Sequence, residues 1–270
     1  MNLFPTPTWL VGCGNMTGAM VDGWRSAGVD FSGVIVIRPS GTPVEGIRTV
    51  RSAAEAGLPP QLVILGFKPQ QLAEVAPQLA PYLSSKTVLL SLLAGADLGT
   101  LRARFPGVAT IVRAMPNLAV SVRRGVTALV GEDGHDASRT LIGNLMAPLG
   151  LGFWSVDEAA FGVAGAISGP GPAYVARFLA ALEKVGIERG LDPGLAKAIA
   201  VETVFGTAWL AAGSEEPFAE LARKVASPKG TTEAGLAVLD GERGLDALVR
   251  ETIEAAAARG AELREQVRSA

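Results

Sequence analysis

The stretch Val11-Gly12-Cys13-Gly14-Asn15-Met16 lies near the start of the chain, with Thr17, Gly18 and Ala19 immediately after it. A short apolar run, residues 9–11, leads into it, and residues 18–26, compatible with a helix, lead out of it. A glycine pair between a strand and a helix lets backbone N–H groups at the helix N-terminus cradle a pyrophosphate. Gly12 suits the tight turn and Gly14 lets the backbone approach the phosphates, with Asn15 and Met16 opening the helix beside them. The third small residue of G-x-G-x-x-G falls on Thr17, which leaves Gly18 and Ala19 to supply the close helix–strand packing.

Working outward, residues 34–37, 62–67, 87–92 and 110–113 are further brief apolar runs bounded by turn residues, each predicted as a buried strand. Residues 126–130 predict one more strand, at an antiparallel edge. Helix-compatible segments lie between them, such as 71–83, which Pro77 and Pro81 break up. This alternation predicts an α/β fold: an N-terminal Rossmann-type, doubly wound, mainly parallel sheet.

After about Trp154 the pattern changes to helix alone. Tyr174, Val175, Phe178, Leu179, Leu182 and Val185 share one helical face that Gly190 terminates. Asp192 and Pro193 then form an N-cap and first-turn pair for a helix reaching Gly213, and residues 245–267 form another. The expected division is a nucleotide-binding domain over 1–155 and an all-helical C-terminal domain over 156–270. The broad apolar helix faces suggest burial against a partner subunit.

Composition narrows the chemistry. With 49% hydrophobic and 19% charged residues in 270, the chain is not disordered, and a net charge of −2 gives no basis for binding nucleic acid or an anionic membrane. Cys13 is the one cysteine and His135, in the polar segment GEDGHD, the one histidine, so a disulfide, a zinc cluster or a His-centred triad is not expected. Catalysis is expected to rest on a cofactor. No secretory signal is read at the N-terminus, and the apolar stretch 195–212 carries Lys197 and Glu202, so no membrane span and a cytoplasmic location are expected.

The second strand selects the nucleotide. An NAD site usually ends this strand in an acid for the ribose 2′-hydroxyl, but here Ile37-Arg38-Pro39-Ser40-Gly41 follows, with no carboxylate before Glu45. Arg38 and Ser40 suit a 2′-phosphate, which favours NADP(H), with NAD(H) possible but less favoured.

Further motifs then fall into a pattern: GCGNM at 12–16, LGFKPQQ at 65–71, LLAG at 92–95, RAMPN at 113–117, ISGPGPAY at 167–174 and VASPKGTTEAGLAVL at 225–239. In this order and spacing, over nearly the whole chain, the sequence resembles the pyrroline-5-carboxylate reductase family. The resemblance implies NADPH-dependent reduction of 1-pyrroline-5-carboxylate to L-proline, in homodimers with interleaved helical domains that often assemble into rings such as decamers. It implies that Lys68, Pro69, Ala94, Gly95 and Asn117 line the cofactor. Ser227, Gly230, Thr231 and Thr232 would hold the substrate carboxylate at a helix that starts near Glu233, with Thr232 also approaching the ring nitrogen as the catalytic contact. Glu158 matches a family glutamate near substrate and cofactor.

Some residues depart from the family pattern. Gly162, Gly165 and Pro170 stand where aspartate, threonine and serine are usual, Leu118 replaces a threonine, and Lys229 replaces a common glycine. Two other readings remain open: a related NADP-dependent reductase of another cyclic imine or a small hydroxyacid, and a non-catalytic NADP-binding sensor. Hydroxyacid dehydrogenases need a lysine on the long interdomain helix, and between 164 and 185 only Lys184 is present, near the far end.

Overall fold

A computed structural model describes residues 1–132, 134 and 136–269, so His135 lies outside the described residues. Among these, β1 (Thr8–Val11), β2 (Val34–Ile37), β3 (Arg48–Val50), β4 (Leu62–Leu65), β5 (Val88–Ser91), β6 (Thr110–Pro116), β7 (Gly125–Gly131) and β8 (Gly150–Trp154) form one sheet. Their order is β3-β2-β1-β4-β5-β6-β7-β8. The first six strands are parallel, β7 runs antiparallel to β6, and β8 runs parallel to β7.

The strands read as continuous apolar runs because both faces of the sheet are covered. Leu10, Ile64, Leu90 and Val112 point into one core with Met20 and Trp24 of α1 (Asn15–Ser26) and Ile142 and Leu145 of α5 (Asp136–Met146). Their alternate neighbours Trp9, Val63, Leu89 and Ile111 point into the other, against α3 (Leu72–Leu79) and α4 (Leu98–Arg104). Trp24 ties α1 to α5 by donating its indole N–H to the Leu145 carbonyl at 2.7 Å. The segment 71–83 is helical despite its prolines: Pro77 lies inside α3, and a 3-10 turn, Ala80–Tyr82, takes up Pro81.

The sequence reading missed two strands. β3 has only three residues, and one of them is exposed. β8 holds two glycines in GLGFW and no fully buried residue, so no apolar alternation announces it. Because β8 pairs with β7, β7 is antiparallel as expected but is not the edge strand.

By backbone contacts, Met1–Gly171 and the end of α11 (Leu245–Ser269) from Ala256 form one compact unit, and Pro172–Ala255 forms a second. The first unit holds the sheet, α2 (Ala53–Ala56) and α6 (Glu158–Ser168). Within the second, α7 (Gly171–Glu188) ends at Gly190, whose φ of 97° is the left-handed conformation that stops a helix. Asp192 then caps α8 (Pro193–Ala212), accepting from the Gly194 and Leu195 amides at 2.9 and 3.1 Å. α9 (Phe218–Val225) and α10 (Thr231–Leu239) follow, α10 starting two residues earlier than the sequence reading placed it.

The second unit leaves much apolar surface uncovered in a single chain; Phe205, Trp209 and Leu210 of α8 are each more than 60% exposed. By length and composition α8 is long and apolar enough to cross a membrane, contrary to the expectation that no run reaches that length.

Candidate active site

The glycine turn is built by three close backbone approaches. Gly12 adopts φ 84° between β1 and α1, where a Cβ would come within 2.9 Å of the Gly66 carbonyl and the Phe67 amide. Its amide donates to Ile37 at 2.8 Å, and the Gly66 amide donates to Val11 at 2.8 Å, so the ends of β1, β2 and β4 are pinned together. Gly14, the N-cap of α1, has open space where a side chain would stand, which is the property a phosphate-cradling backbone needs.

The position that breaks the glycine pattern is resolved differently from the sequence reading. Thr17 is buried, and its hydroxyl occupies the space a Cβ on Gly66 would take. The small residue that permits close packing is therefore Gly66, across the contact. Gly18 faces open space, while Ala19 packs into the core beneath α1.

The other expected nucleotide residues lie at the carboxyl ends of neighbouring strands. Arg38 and Ser40 follow β2 in a turn closed by the Gly41 amide on the Arg38 carbonyl at 2.9 Å, and the Ser40 hydroxyl meets that of Thr42 at 3.0 Å. Burial pushes the Cys13 thiol up, against a lowering pull from the Arg38 charge. Lys68 is exposed after β4, with Pro69 starting a 3-10 turn. Asn15 and Met16 form the first turn of α1.

Beside the turn is a cavity of about 390 Å³, walled by Gly12, Ile37, Pro39, Arg51, Ser52 and Tyr82 among others. Its size and its apolar lining with a few polar groups suit an adenosine moiety. Sequence reasoning missed Arg51 and Ser52 because it missed β3; the available signal was a basic and a hydroxyl residue directly after a Thr-Val pair.

Ala94 and Gly95 follow β5. Ala94 is exposed, whereas Gly95 (φ 83°) is buried, because a Cβ there would come within 2.9 Å of the Leu263 carbonyl of α11. Asn117, after β6, is committed within the fold: its amide nitrogen donates to Ser168 at 3.0 Å and its oxygen accepts from Val126 at 3.2 Å. It fastens the end of β6 to β7 and to α6.

Glu158 opens α6 and meets Arg113 of β6, a residue the sequence reading left unassigned. One Glu158 oxygen pairs with the Arg113 guanidinium, and the other accepts from the Leu98 amide at 3.0 Å. Arg113 is almost fully buried and lies 4.6 Å over the Phe161 ring; burial pulls its guanidinium below the ordinary value, against support from Glu158 and Asp97. The pair borders a cavity of about 950 Å³ that also includes Gly95, Gly162, Arg264 and Arg268. Gly165 accounts for one departure from the family pattern: the Met115 thioether fills the place a side chain there would need.

In the helical unit, Ser227, Gly230, Thr231 and Thr232 share one turn. The Gly230 amide donates to Ser227 at 2.9 Å, and Gly230 has no room for a Cβ against the Ser227 hydroxyl. Thr231 and Thr232 are the first residues of α10, so their amides and that of Glu233 have no intrahelical acceptor. The Glu233 carboxylate instead caps the Lys229 amide at 2.5 Å, and Lys229 stands at φ 60°. Thr232 is half-buried beside the exposed Thr231.

Residues 158–263 match the family model for pyrroline-5-carboxylate reductase dimerisation. Pyrroline-5-carboxylate reductase of Pseudomonas aeruginosa is 34% identical over 264 residues, covering 95% of this chain and 96% of the relative. Among solved structures, a pyrroline-5-carboxylate reductase from Coxiella burnetii superposes with a TM-score of 0.85 at 28% identity, over 96% of this chain and 98% of that one. The Plasmodium falciparum pyrroline carboxylate reductase with NADP bound shares the fold, with a TM-score of 0.86 at 23% identity over 96% and 98% of the two chains.

Proposed function

The chain belongs to the pyrroline-5-carboxylate reductase family, and we propose that it reduces 1-pyrroline-5-carboxylate to L-proline with NADPH, the last step of proline biosynthesis. The observation that carries this reading is the presence, in one chain, of an open phosphate turn at Gly12 and Gly14 and of a helix-start anion loop at Ser227–Thr232. Bound NADPH would supply the hydride that the imine carbon accepts.

The chain's own groups bind and orient. Gly12, Gly14, Asn15 and Met16 would hold the pyrophosphate, Arg38 and Ser40 the 2′-phosphate, and Lys68, Pro69, Ala94 and Gly95 the nicotinamide half. Asn117 supports that wall from behind through its two internal hydrogen bonds. The amides at the start of α10, with the Ser227, Thr231 and Thr232 hydroxyls, would fix the substrate carboxylate. Thr232 would orient the ring nitrogen, and Glu158, paired with Arg113, is read as a substrate-side residue. An imine that binds protonated needs no strong acid–base residue, in keeping with a sequence holding one histidine.

The functional boundary is placed at 155/156, where the last strand gives way to helix. The exposed apolar faces of α7 and α8 would be covered by a second copy in an interleaved homodimer, the unit of a larger ring, in the cytoplasm. The test is NADPH consumption with 1-pyrroline-5-carboxylate, repeated with NADH and with other cyclic imines. Turnover of another imine but not of this one overturns the substrate assignment, and binding without any turnover favours a sensor.

A further inference from the structure

Arg51 has no partner for its guanidinium among the described residues, yet it stands on the wall of the cavity beside the glycine turn. Its position follows from strand register. In the parallel pair β2/β3, Ile37 lies opposite Val50, so Arg38 and Arg51 are each the first residue beyond the last paired couple, on strands about 4.8 Å apart. The Arg38 amide, donating to the Val50 carbonyl at 3.0 Å, locks this alignment.

The Arg51 side chain is also held over the β2 turn. Gly41 adopts φ 66°, and a Cβ there would stand 2.8 Å from Arg51 Nε, so the guanidinium fills the space that glycine leaves beside Ser40. The acid of this region, Glu55, has its own partners: its two oxygens accept from the Ser52 hydroxyl at 3.0 Å and from the Arg51 amide at 3.3 Å.

We propose that Arg51 is a specificity-determining residue that, with Arg38 and Ser40, forms a two-arginine clamp for the 2′-phosphate of the dinucleotide. The inference rests on the nucleotide-binding reading above. A phosphate monoester near pH 7 carries between one and two negative charges, so one guanidinium leaves it under-neutralised and a second completes the pairing. A nucleotide with a bare 2′-hydroxyl offers neither arginine a charge to pair with.

The test is calorimetric binding of adenosine 2′,5′-bisphosphate and of adenosine 5′-monophosphate to wild type, R38Q and R51Q. R51Q is expected to weaken the bisphosphate about tenfold or more and to leave the monophosphate within about twofold. Its KM for NADPH rises while that for NADH is unchanged. Should R51Q unfold, R51K carries the test, keeping the charge and losing the planar fork, with a smaller but still selective loss. Equal loss for both probes, or none, overturns the role of Arg51 and leaves the nucleotide reading standing. Failure of wild type to bind either probe overturns both.

Discussion

Thr17 Oγ1 fills the space that Gly66 leaves by lacking a side chain, so the first helix and the fourth strand meet through a threonine on one side and a glycine on the other. G66A forces a methyl into the threonine and towards the Gly12 carbonyl, which would stand 3.2 Å from it. We expect a loss of about 1–3 kcal/mol in denaturant unfolding and weaker nucleotide binding. The double variant T17A/G66A is expected to recover most of the stability. If it does not, the contact is not the source of the loss.

The Thr17 hydroxyl is buried and has no hydrogen-bond partner among the described residues. T17V keeps the shape and removes the unsatisfied group, so its stability is expected to equal or exceed wild type by up to about 1–2 kcal/mol. A thermal melt measures this directly.

Glu132 gives a pH prediction. Burial pushes its carboxyl up, but hydrogen bonds from Arg102, from the Ile111 amide at 2.9 Å and from Thr110 outweigh this and hold it below the ordinary value of 4.5. A depressed folded pKa contributes stability that is present above the unfolded pKa and lost as pH falls through the folded one. Stability is therefore expected to decline on acidification below about 4.5. E132Q is expected to cost about 1–2 kcal/mol at pH 7 and to flatten that decline. Urea midpoints at a series of pH values report both.

How far the sequence could be read depended on how locally each feature is encoded. β1, β2, β4 and β5 are short apolar runs between turns, and that local pattern alone placed them. Asp192-Pro193 and Gly190 marked their helix ends because capping is a property of one or two residues. β3 and β8 are held by pairing with strong neighbours rather than by their own composition, so nothing local revealed them. The Thr17–Gly66 contact joins residues far apart in sequence, and so does the Arg113–Glu158 pair. Arg113 did leave one trace: a charged residue inside the otherwise apolar run TIVRAMP.

The proposed role of Thr232 predicts that substrate handling can be lost while cofactor handling is kept. T232A removes a hydroxyl from the first turn of α10 while leaving the helix start and the glycine turn untouched. We expect turnover of 1-pyrroline-5-carboxylate to fall about tenfold or more, with the Kd for NADPH unchanged. A matched loss of NADPH affinity would remove Thr232 from the substrate site.

Phe205 and Trp209 lie side by side on α8, with ring centroids 6.4 Å apart, and both are largely exposed in a single chain. If a second copy covers them, F205E places a charge in that interface and is expected to shift the protein to a smaller species in light scattering at micromolar concentration. An unchanged molar mass would locate the subunit contact elsewhere.

Lys229 occupies a left-handed conformation at φ 60°, which costs a residue with a side chain about 1–2 kcal/mol relative to a right-handed one. The same backbone is free of that cost for glycine, which is why glycine suits this place in the loop. Greater chain freedom of glycine in the unfolded state offsets part of the gain. K229G is therefore expected to raise stability by up to about 1 kcal/mol, and K229V, with a β-branched side chain, to lower it by more. The Glu233 cap on the residue 229 amide is a backbone contact and survives K229G, so the substrate KM is expected to change little unless the lysine charge itself attracts the carboxylate. Thermal melts and KM at two salt concentrations separate the outcomes: a rise in KM that disappears at high salt assigns the lysine a steering role, and a melting temperature below wild type removes the strain argument.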